Sequence, residues 1–204
     1  MAVSAKVLLV VAAVEAAALL AGAGWWALAR RAPEDLLAGT RPERDWAAYH
    51  LAAEAGPEGA VRLAGRGAPF ANISRTVAVA PGATYLATVC ARPGALGRAV
   101  LRASLGPDRW TGRVFDLGAR AVERSTDAVE FPSHLHVLND GWVQMGILFT
   151  ATAEQEAAQI LVYPVDEAFG RPVREGADLW IAPPRLVRLG EDGPVQWTAT
   201  CRPV

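Results

Sequence analysis

Apolar residues form one long unbroken run near the start of the chain and short alternating runs after residue 59. Between residues 7 and 29 the only charged residue is Glu15. At about 1.5 Å per residue, a helix of this length crosses a hydrocarbon core of about 30 Å. Trp25 and Trp26 stand near its end, where amphipathic rings favour the headgroup region. We therefore predict a single N-terminal transmembrane helix over residues 1–29.

One face of this helix combines its charge with small side chains. With about 100° between successive residues, the residues that share a face with Glu15 are Leu8, Val11, Ala12, Ala18, Leu19, Gly22 and Trp26. Small residues let a second helix approach closely, and an ionisable residue inside a membrane usually pairs with a partner group. We expect this face to dock against another membrane protein subunit. The alternative is a protonated Glu15 in an isolated anchor in the lipid bilayer.

Cleavage and orientation of this segment each have two interpretations. Lys6 before the apolar run and the sequence ALA at 27–29 resemble a signal peptide with a cleavage site after Ala29. The run is longer than the usual apolar region of about 7–15 residues, which favours an uncleaved anchor. The arginines of residues 30–44 favour a cytoplasmic C-terminal part, whereas a disulfide would favour export. We expect a single-pass protein of the inner (cytoplasmic) membrane with a periplasmic C-terminal domain.

The region after residue 59 alternates with the period of two that is typical of β-strands. Residues 30–58 are charged and broken by prolines and glycines, which predicts a membrane-proximal linker. Residues 46–55 fit either a short helix or a strand. Short strands between turn residues predict an all-β jelly-roll sandwich over 59–204. The predicted strands cover 73–80, 84–91, 98–105, 110–117, 120–131, 141–153, 158–165, 178–189 and 195–204, and two prolines confine or end the strand at 178–189.

Composition limits the partners and the cysteine chemistry. The 204 residues carry a net charge of −1, so no basic face for nucleic acid is expected. Abundant Ala and Arg suggest a bacterial source. The two cysteines, Cys90 and Cys201, lack the spacing of a metal site. They are either buried small hydrophobic residues or one disulfide that joins the last strand to the core in an oxidising compartment.

Four motifs occur in an order that resembles the jelly-roll sandwiches of carbohydrate-binding modules. They are ISRTVAVAPGATYLATVCARPG (73–94), GRVFDLGARAV (112–122), NDGWVQMGILFTATA (139–153) and GADLWIAPPRL (176–186). The resemblance spans about residues 70–187 and implies two antiparallel sheets packed face to face. In glycan-binding relatives exposed aromatic residues stack on sugar rings. Many relatives also have acidic residues where this chain has Ala182, Pro183 and Pro184, so no calcium ion is expected.

The aromatic residues divide into core and surface candidates. Trp142, which follows a turn glycine, and Trp180, in an alternating strand, are expected in the core. Trp110 and Trp197 are the candidates for glycan stacking, although large aromatic residues are more often buried than exposed. This assignment depends on the resemblance rather than on a recognisable site.

The sequence contains no recognisable catalytic arrangement. His134 and His136 would share one face of a strand, but no third metal ligand stands at a suitable spacing, so no metal site is expected. Asp116, Glu123, Asp127 and Glu130 are most simply a solvated face. No nucleophile elbow, phosphate loop or dinucleotide fingerprint occurs. We expect neither an enzyme nor a cofactor.

Two functions of different classes remain. The first is a structural or accessory subunit of a larger membrane complex, such as a photosynthetic or respiratory assembly, docked through the Glu15 face. The second is a membrane-tethered glycan-binding module. The first depends on the apolar helix, and the second on the resemblance of the β-domain.

Overall fold

The computed structural model describes residues 34–106, 108–125, 132–138, 140–190 and 201. The predicted transmembrane helix with its Glu15 face, and the stacking candidate Trp197, lie outside the described residues. Among the residues that are described, no helix is long and apolar enough to cross a membrane. The chain from Glu34 onward forms one compact unit.

Strands dominate the described residues. One short helix, α1 (Pro42–Asp45), and a 3-10 turn at Pro57–Gly59 accompany them. The strands are β1 (Ala47–Tyr49), β2 (Leu51–Ala55), β3 (Val61–Gly65), β4 (Asn72–Ala78), β5 (Thr84–Pro93), β6 (Arg98–Gly106), β7 (Arg109–Asp116), β8 (Ala121–Ser125), β9 (Ser133–Val137), β10 (Val143–Thr150), β11 (Ala157–Val165), β12 (Asp178–Ile181) and β13 (Arg185–Arg188).

The strands form two antiparallel sheets. Sheet I has the order β2-β3-β12-β5-β10-β9, with β13 also paired to β5. Sheet II has the order β1-β4-β11-β6-β7-β8. The sheets pack face to face, with β5 and β10 of sheet I against β6 of sheet II. These findings confirm the predicted all-β sandwich.

Alternating side chains fill the space between the sheets. On β5 the inward residues include Tyr85 and Val89, and on β10 they include Met145 and Phe149. Sheet II contributes the inward residues of β6, β7 and β11, among them the fully buried Phe115. Because successive strand residues point to opposite faces, the residues between these positions lie on the outer faces of the two sheets.

Two prolines divide the strand that was predicted over residues 178–189. Strand β12 ends at Ile181, strand β13 begins at Arg185, and Pro183 and Pro184 lie between them. Proline has no backbone N–H to give to a ladder, so the pairing with β5 stops and resumes. Strand β12 pairs with the end of β5 and β13 with its beginning.

The sandwich begins earlier than the sequence predicted, because the assigned linker at 30–58 contributes strands. Residues 34–46 run from the edge of sheet I to sheet II. Asp35 accepts hydrogen bonds from Arg185 Nε at 2.8 Å and from the Leu186 N–H at 3.1 Å. At the other end Arg75 donates to the Asp45 carbonyl at 2.6 Å. Strand β1 then extends sheet II and strand β2 extends sheet I. The alternation in so short a segment did not separate a strand from a helix.

A disulfide joins strand β5 to Cys201. Cys90 on β5 is bonded to Cys201, with 5.6 Å between their Cα atoms. Of the two alternatives that the sequence left open, the structure contains the disulfide. The bond closes a loop of 111 residues, and cross-links that close long loops restrict the unfolded chain strongly.

Candidate functional site

Polar side chains and one tryptophan form a row across the outer face of sheet II. Thr76 on β4 faces Gln159 on β11, and Ser104 on β6 faces Trp110 on β7. The Gln159 N–H donates to Ser104 Oγ at 2.8 Å, which joins the two pairs. Cross-strand neighbours on one face have Cβ atoms about 5 Å apart, so the row is continuous.

This row is the floor of an open cleft of about 400 Å³. Its lining combines one aromatic ring with groups that form hydrogen bonds. These are the hydroxyls of Thr76 and Ser104, the amides of Gln155 and Gln159, and the carboxylates of Asp108, Glu154 and Glu156, beside Trp110. All the charged side chains that line the cleft within the described residues are therefore acidic.

Gln155 fixes the floor of the cleft. Its side chain is only 5% exposed. Its Nε2 donates to the carbonyls of Ser104 at 3.0 Å and Ala157 at 2.9 Å, and its Oε1 accepts from the Thr152 N–H at 3.2 Å. Buried polar groups that are satisfied in this way keep a site in one geometry. The rim residues Asp108, Glu154 and Glu156 are exposed, so they can reach a ligand.

Trp110 is the one predicted stacking residue that the structure describes. It is half-buried, and the Arg102 guanidinium lies over its ring, 4.9 Å from the centroid. Such a cation holds an aromatic ring in place by electrostatic attraction. The same Arg102 is 5.8 Å from the ring of Phe169. Trp110 is thus oriented by Arg102 while it also lines the cleft.

Three further aromatic residues, Phe70, Phe169 and Tyr163, form what we call the aromatic ridge. Phe169 meets Tyr163 edge to face at 5.2 Å and Phe70 at 5.9 Å between ring centroids. Phe70 remains 52% exposed. Arg102 lies between the ridge and Trp110. Tyr163 is buried at 6% exposure, so Phe70 is the part of the ridge that a ligand can reach most easily.

Phe70 has an unusual backbone for a large residue. Its φ is +53°, in the left-handed region that side chains with a Cβ rarely adopt. Asn72 Nδ2 donates to the Phe70 carbonyl at 2.8 Å, and Gly170 leaves room for the ring, because a Cβ there would lie 3.0 Å from it. Sequence reasoning missed this residue, since its exposure depends on a loop conformation rather than on strand alternation.

An ion pair braces the loop that carries Phe169. Arg174 Nε lies 2.6 Å from Asp166 Oδ2, and Arg174 Nη2 lies 3.1 Å from Oδ1. The hydrogen bond from Arg174 lowers the pKa of the Asp166 carboxyl below its usual 3.8. The charged form of Asp166 is therefore the form that holds the loop.

The outer face of sheet I contains a second arrangement of tryptophan and arginine. Arg92 lies 5.2 Å from the centroid of Trp142 and 5.8 Å from that of Trp180. The ring of Trp180 also packs against Gly56, where a Cβ would collide with it. Both tryptophans are half-buried at the surface, whereas the sequence placed them in the core. An alternating strand does not reveal which of its two faces points inward.

Two of the acidic residues noted in the sequence, Asp116 and Glu123, form ion pairs with Arg98. Arg98 Nε lies 3.3 Å from Asp116 Oδ2 and 2.9 Å from Glu123 Oε1. The Ala119 N–H donates to Asp116 at 2.7 Å and, with a smaller effect from Arg98, lowers the pKa of that carboxyl. A general acid needs a raised pKa. Asp127 and Glu130 lie outside the described residues.

The two neighbouring histidines lie on β9. The rings of His134 and His136 are 5.9 Å apart and nearly parallel, with 12° between their planes. Partial burial, and then the charge of His136, lower the pKa of His134. In the part of the chain that the structure describes, no group of three or more His, Cys, Asp or Glu side chains could hold a metal ion.

Comparisons with known proteins identify structural neighbours only. No family model and no curated protein matches the chain. A carbohydrate-binding module of family CBM4 is similar with a TM-score of 0.44 and 11% identity, over 76% of this chain and 95% of that one. The module TmCBM27, which recognises mannan, is similar with a TM-score of 0.43 and 14% identity, over 78% and 97%.

A candidate sugar-binding protein from Bacteroides thetaiotaomicron VPI-5482 has a TM-score of 0.37 and 8% identity, over 76% of this chain and 86% of that one. All three TM-scores are below 0.5. These likenesses assign no function to the chain. Its own residues are the basis for a functional proposal.

Proposed function

We propose that the chain binds glycans through the cleft beside Trp110. The observation that carries this proposal is the composition of the cleft, in which a half-buried indole ring stands beside hydroxyl, amide and carboxylate groups. A sugar ring has an apolar face and a rim of hydroxyls. The indole offers a flat apolar surface to that face, while the surrounding groups hydrogen-bond the rim.

The charges at the cleft support a class of glycan. Asp108, Glu154 and Glu156 line it, and carboxylates repel uronic acids and sulfated sugars. Carboxylates accept hydrogen bonds from the hydroxyls of neutral sugars and attract protonated amines. We therefore expect neutral or amine-bearing oligosaccharides as ligands and expect acidic ones to be excluded.

A binding panel tests this proposal. The full chain in mild detergent is titrated calorimetrically with neutral, glucosamine and galacturonate oligosaccharides of equal length. We expect at least one neutral or amine-bearing ligand to bind and the galacturonates to fail. The variant Trp110→Ala should lose at least tenfold in affinity, equal to about 1.4 kcal/mol. Failure of every ligand, or equal binding by Trp110→Ala, would refute the proposal.

The membrane tether and the compartment belong to the same proposal. The apolar run at 7–29 supports a single-pass anchor, and the Cys90–Cys201 disulfide supports an oxidising compartment such as the periplasm. Protease added outside spheroplasts should cut the β-domain from the membrane. Protection of the domain would instead place it in the cytoplasm. The role of complex subunit depends on the Glu15 face alone, so glycan binding is the function that the described geometry supports best.

A further inference from the structure

Two turns flank the polar row of the cleft, and both carry acidic side chains. The turn between β6 and β7 contains Asp108, and the turn between β10 and β11 contains Glu154 and Glu156. The two turns lie close together, because a Cβ at Gly106 would be 3.6 Å from Thr152 Oγ1. The three carboxylates therefore stand around one opening.

Gln155 holds the two turns in a fixed relation. Its side chain donates to the Ser104 carbonyl on β6 and accepts from the Thr152 N–H in the second turn. Since Glu154 and Glu156 are its neighbours in the chain, their backbone positions are fixed with it. Both are exposed, so their side chains can turn toward a ligand while the backbone stays in place.

The acidic charge of this opening is not compensated by an ion pair. Asp108, Glu154 and Glu156 form no ion pair with any residue that the structure describes. Arg102 lies over the ring of Trp110 and is not part of the described lining of the cleft. Like charges around one opening repel each other, and a cation bound among them relieves that repulsion. The opening is therefore suited to a positively charged group.

A buried hydroxyl group lines the same cleft. Ser104 is only 9% exposed and lies beside Trp110. Its Oγ accepts the Gln159 N–H at 2.8 Å, and within the described ranges no protein group accepts its own hydroxyl proton. A buried donor gains free energy when it acquires an acceptor. The hydroxyl oxygens of a sugar supply that acceptor, so Ser104 favours a polyhydroxylated ligand over a simple cation.

We propose that the cleft selects oligosaccharides whose sugars carry protonated amines, with glucosamine oligosaccharides as the representative ligand. This inference rests on the proposed glycan function and adds the property that selects the ligand. The indole ring of Trp110 and the hydroxyl of Ser104 contact the sugar. The carboxylates of Asp108, Glu154 and Glu156 accept hydrogen bonds from its amines. Such charge-assisted bonds are roughly twice as strong as neutral ones, so an amine binds more tightly than the uncharged amide of N-acetylglucosamine.

A calorimetric comparison of matched tetrasaccharides tests the inference. The full chain in mild detergent is titrated with the tetrasaccharides of glucosamine, N-acetylglucosamine and glucose at mildly acidic pH, where the sugar amines are protonated. We expect the glucosamine ligand to bind about tenfold more tightly than the other two. Added salt should weaken its binding more than theirs, because salt screens exposed charges. The triple variant Asp108→Asn, Glu154→Gln, Glu156→Gln should remove the preference for glucosamine.

Two single variants serve as controls. Glu175→Gln removes an exposed acidic residue from the loop that follows β11, whereas the cleft lies at the start of that strand. It should bind the glucosamine ligand like the wild type. Trp110→Ala should weaken the binding of all three ligands. Retained glucosamine binding by Trp110→Ala would show that the amines pair with carboxylates outside the cleft, and it would overturn the inference.

The remaining outcomes separate this inference from the glycan function. Equal binding of the three ligands by the wild type, or an unchanged preference in the folded triple variant, would overturn the inference and leave the glycan function in place. Failure of all three ligands would overturn both. The three substituted side chains are exposed, so the variant is expected to fold, and its midpoint of urea denaturation checks this.

Discussion

The two outer faces of the sandwich contain the same pair of residue types in different surroundings. On sheet II, Arg102 lies over Trp110, and the ring also lines the cleft. On sheet I, Arg92 lies near Trp180, whose ring packs against Gly56. We expect Trp180 to stabilise the fold only, whereas Trp110 also lines a polar cleft that a ligand can enter. Trp110 has a packing role as well, because it contacts the buried cluster of Val100, Val114, Leu161, Tyr163 and Val165. Residue type alone does not separate these roles, and the neighbouring residues do.

The largest expected effect is on stability at sheet I. Trp180→Ala removes the ring that packs against Gly56 and Arg92. We expect the free energy of unfolding to fall by about 1–3 kcal/mol, less than the ~3–5 kcal/mol for a fully buried aromatic residue, because the ring is half-buried. Urea denaturation measures the loss. Glycan affinity should stay within twofold of the wild type. A large drop in affinity would contradict the different roles of the two outer faces.

The second variant, Trp110→Ala, is expected to change glycan binding at sheet II. Trp110→Ala should reduce glycan affinity at least tenfold, about 1.4 kcal/mol, because the ring that stacks on the sugar is lost. Its midpoint of urea denaturation should fall as well, because Trp110 packs against a buried hydrophobic cluster, so glycan affinity is the property that separates the two variants. The two variants form a matched pair, and equal losses of glycan affinity in both would contradict the different roles of the two tryptophans.

The aromatic ridge should have a smaller effect that depends on ligand length. Phe70 is exposed, and Arg102 and Phe169 separate it from Trp110. Phe70→Ala should lower the affinity for long oligosaccharides about threefold, close to 0.65 kcal/mol, and leave the affinity for disaccharides unchanged. Tyr49→Ala, which removes another exposed aromatic residue on β1, is the comparison variant. A loss with disaccharides would place Phe70 within the cleft itself.

The smallest expected effect is a pH dependence of the hydrogen-exchange protection of the loop that carries Phe169. The pKa of Asp166 is lowered by Arg174, so the stabilisation is present above the unfolded value of 3.8 and is lost as the pH falls through the lower folded value. Amide hydrogen exchange in residues 166–176 should therefore show protection at pH 6 that weakens near pH 3. Asp166→Asn should remove that difference. Equal protection of the wild type at both pH values would contradict the role of the ion pair.

Strand positions were predictable from the sequence because alternation records burial directly. The period of two located β4 to β8, β10 and β11, whereas β9 (Ser133–Val137) lies outside every predicted strand. Pro183 and Pro184 explained the break between β12 and β13. Strands β1 and β2 are short and rich in alanine, so their pattern is weak. Because this pattern is weak, the sequence assigned both strands to a linker and placed the start of the sandwich too late in the chain.

The candidate site was only partly predictable. Trp110 followed from its position after a turn, but the polar row depends on the register of four strands, which alternation does not determine. Phe70 depends on a left-handed backbone, and the different surroundings of Trp110 and Trp180 depend on which residues face them across the sheet. Each of these properties arises from contacts distant in sequence.

The most direct test of the central claim follows the indole N–H signals of the seven tryptophans by NMR during titration with a neutral oligosaccharide. Single Trp→Phe variants assign the signals of Trp110 and Trp180. The account predicts that the Trp110 signal shifts in a saturable manner while the Trp180 signal stays in place. A saturable shift of Trp180 with no movement of Trp110 would place the ligand on sheet I and contradict the account.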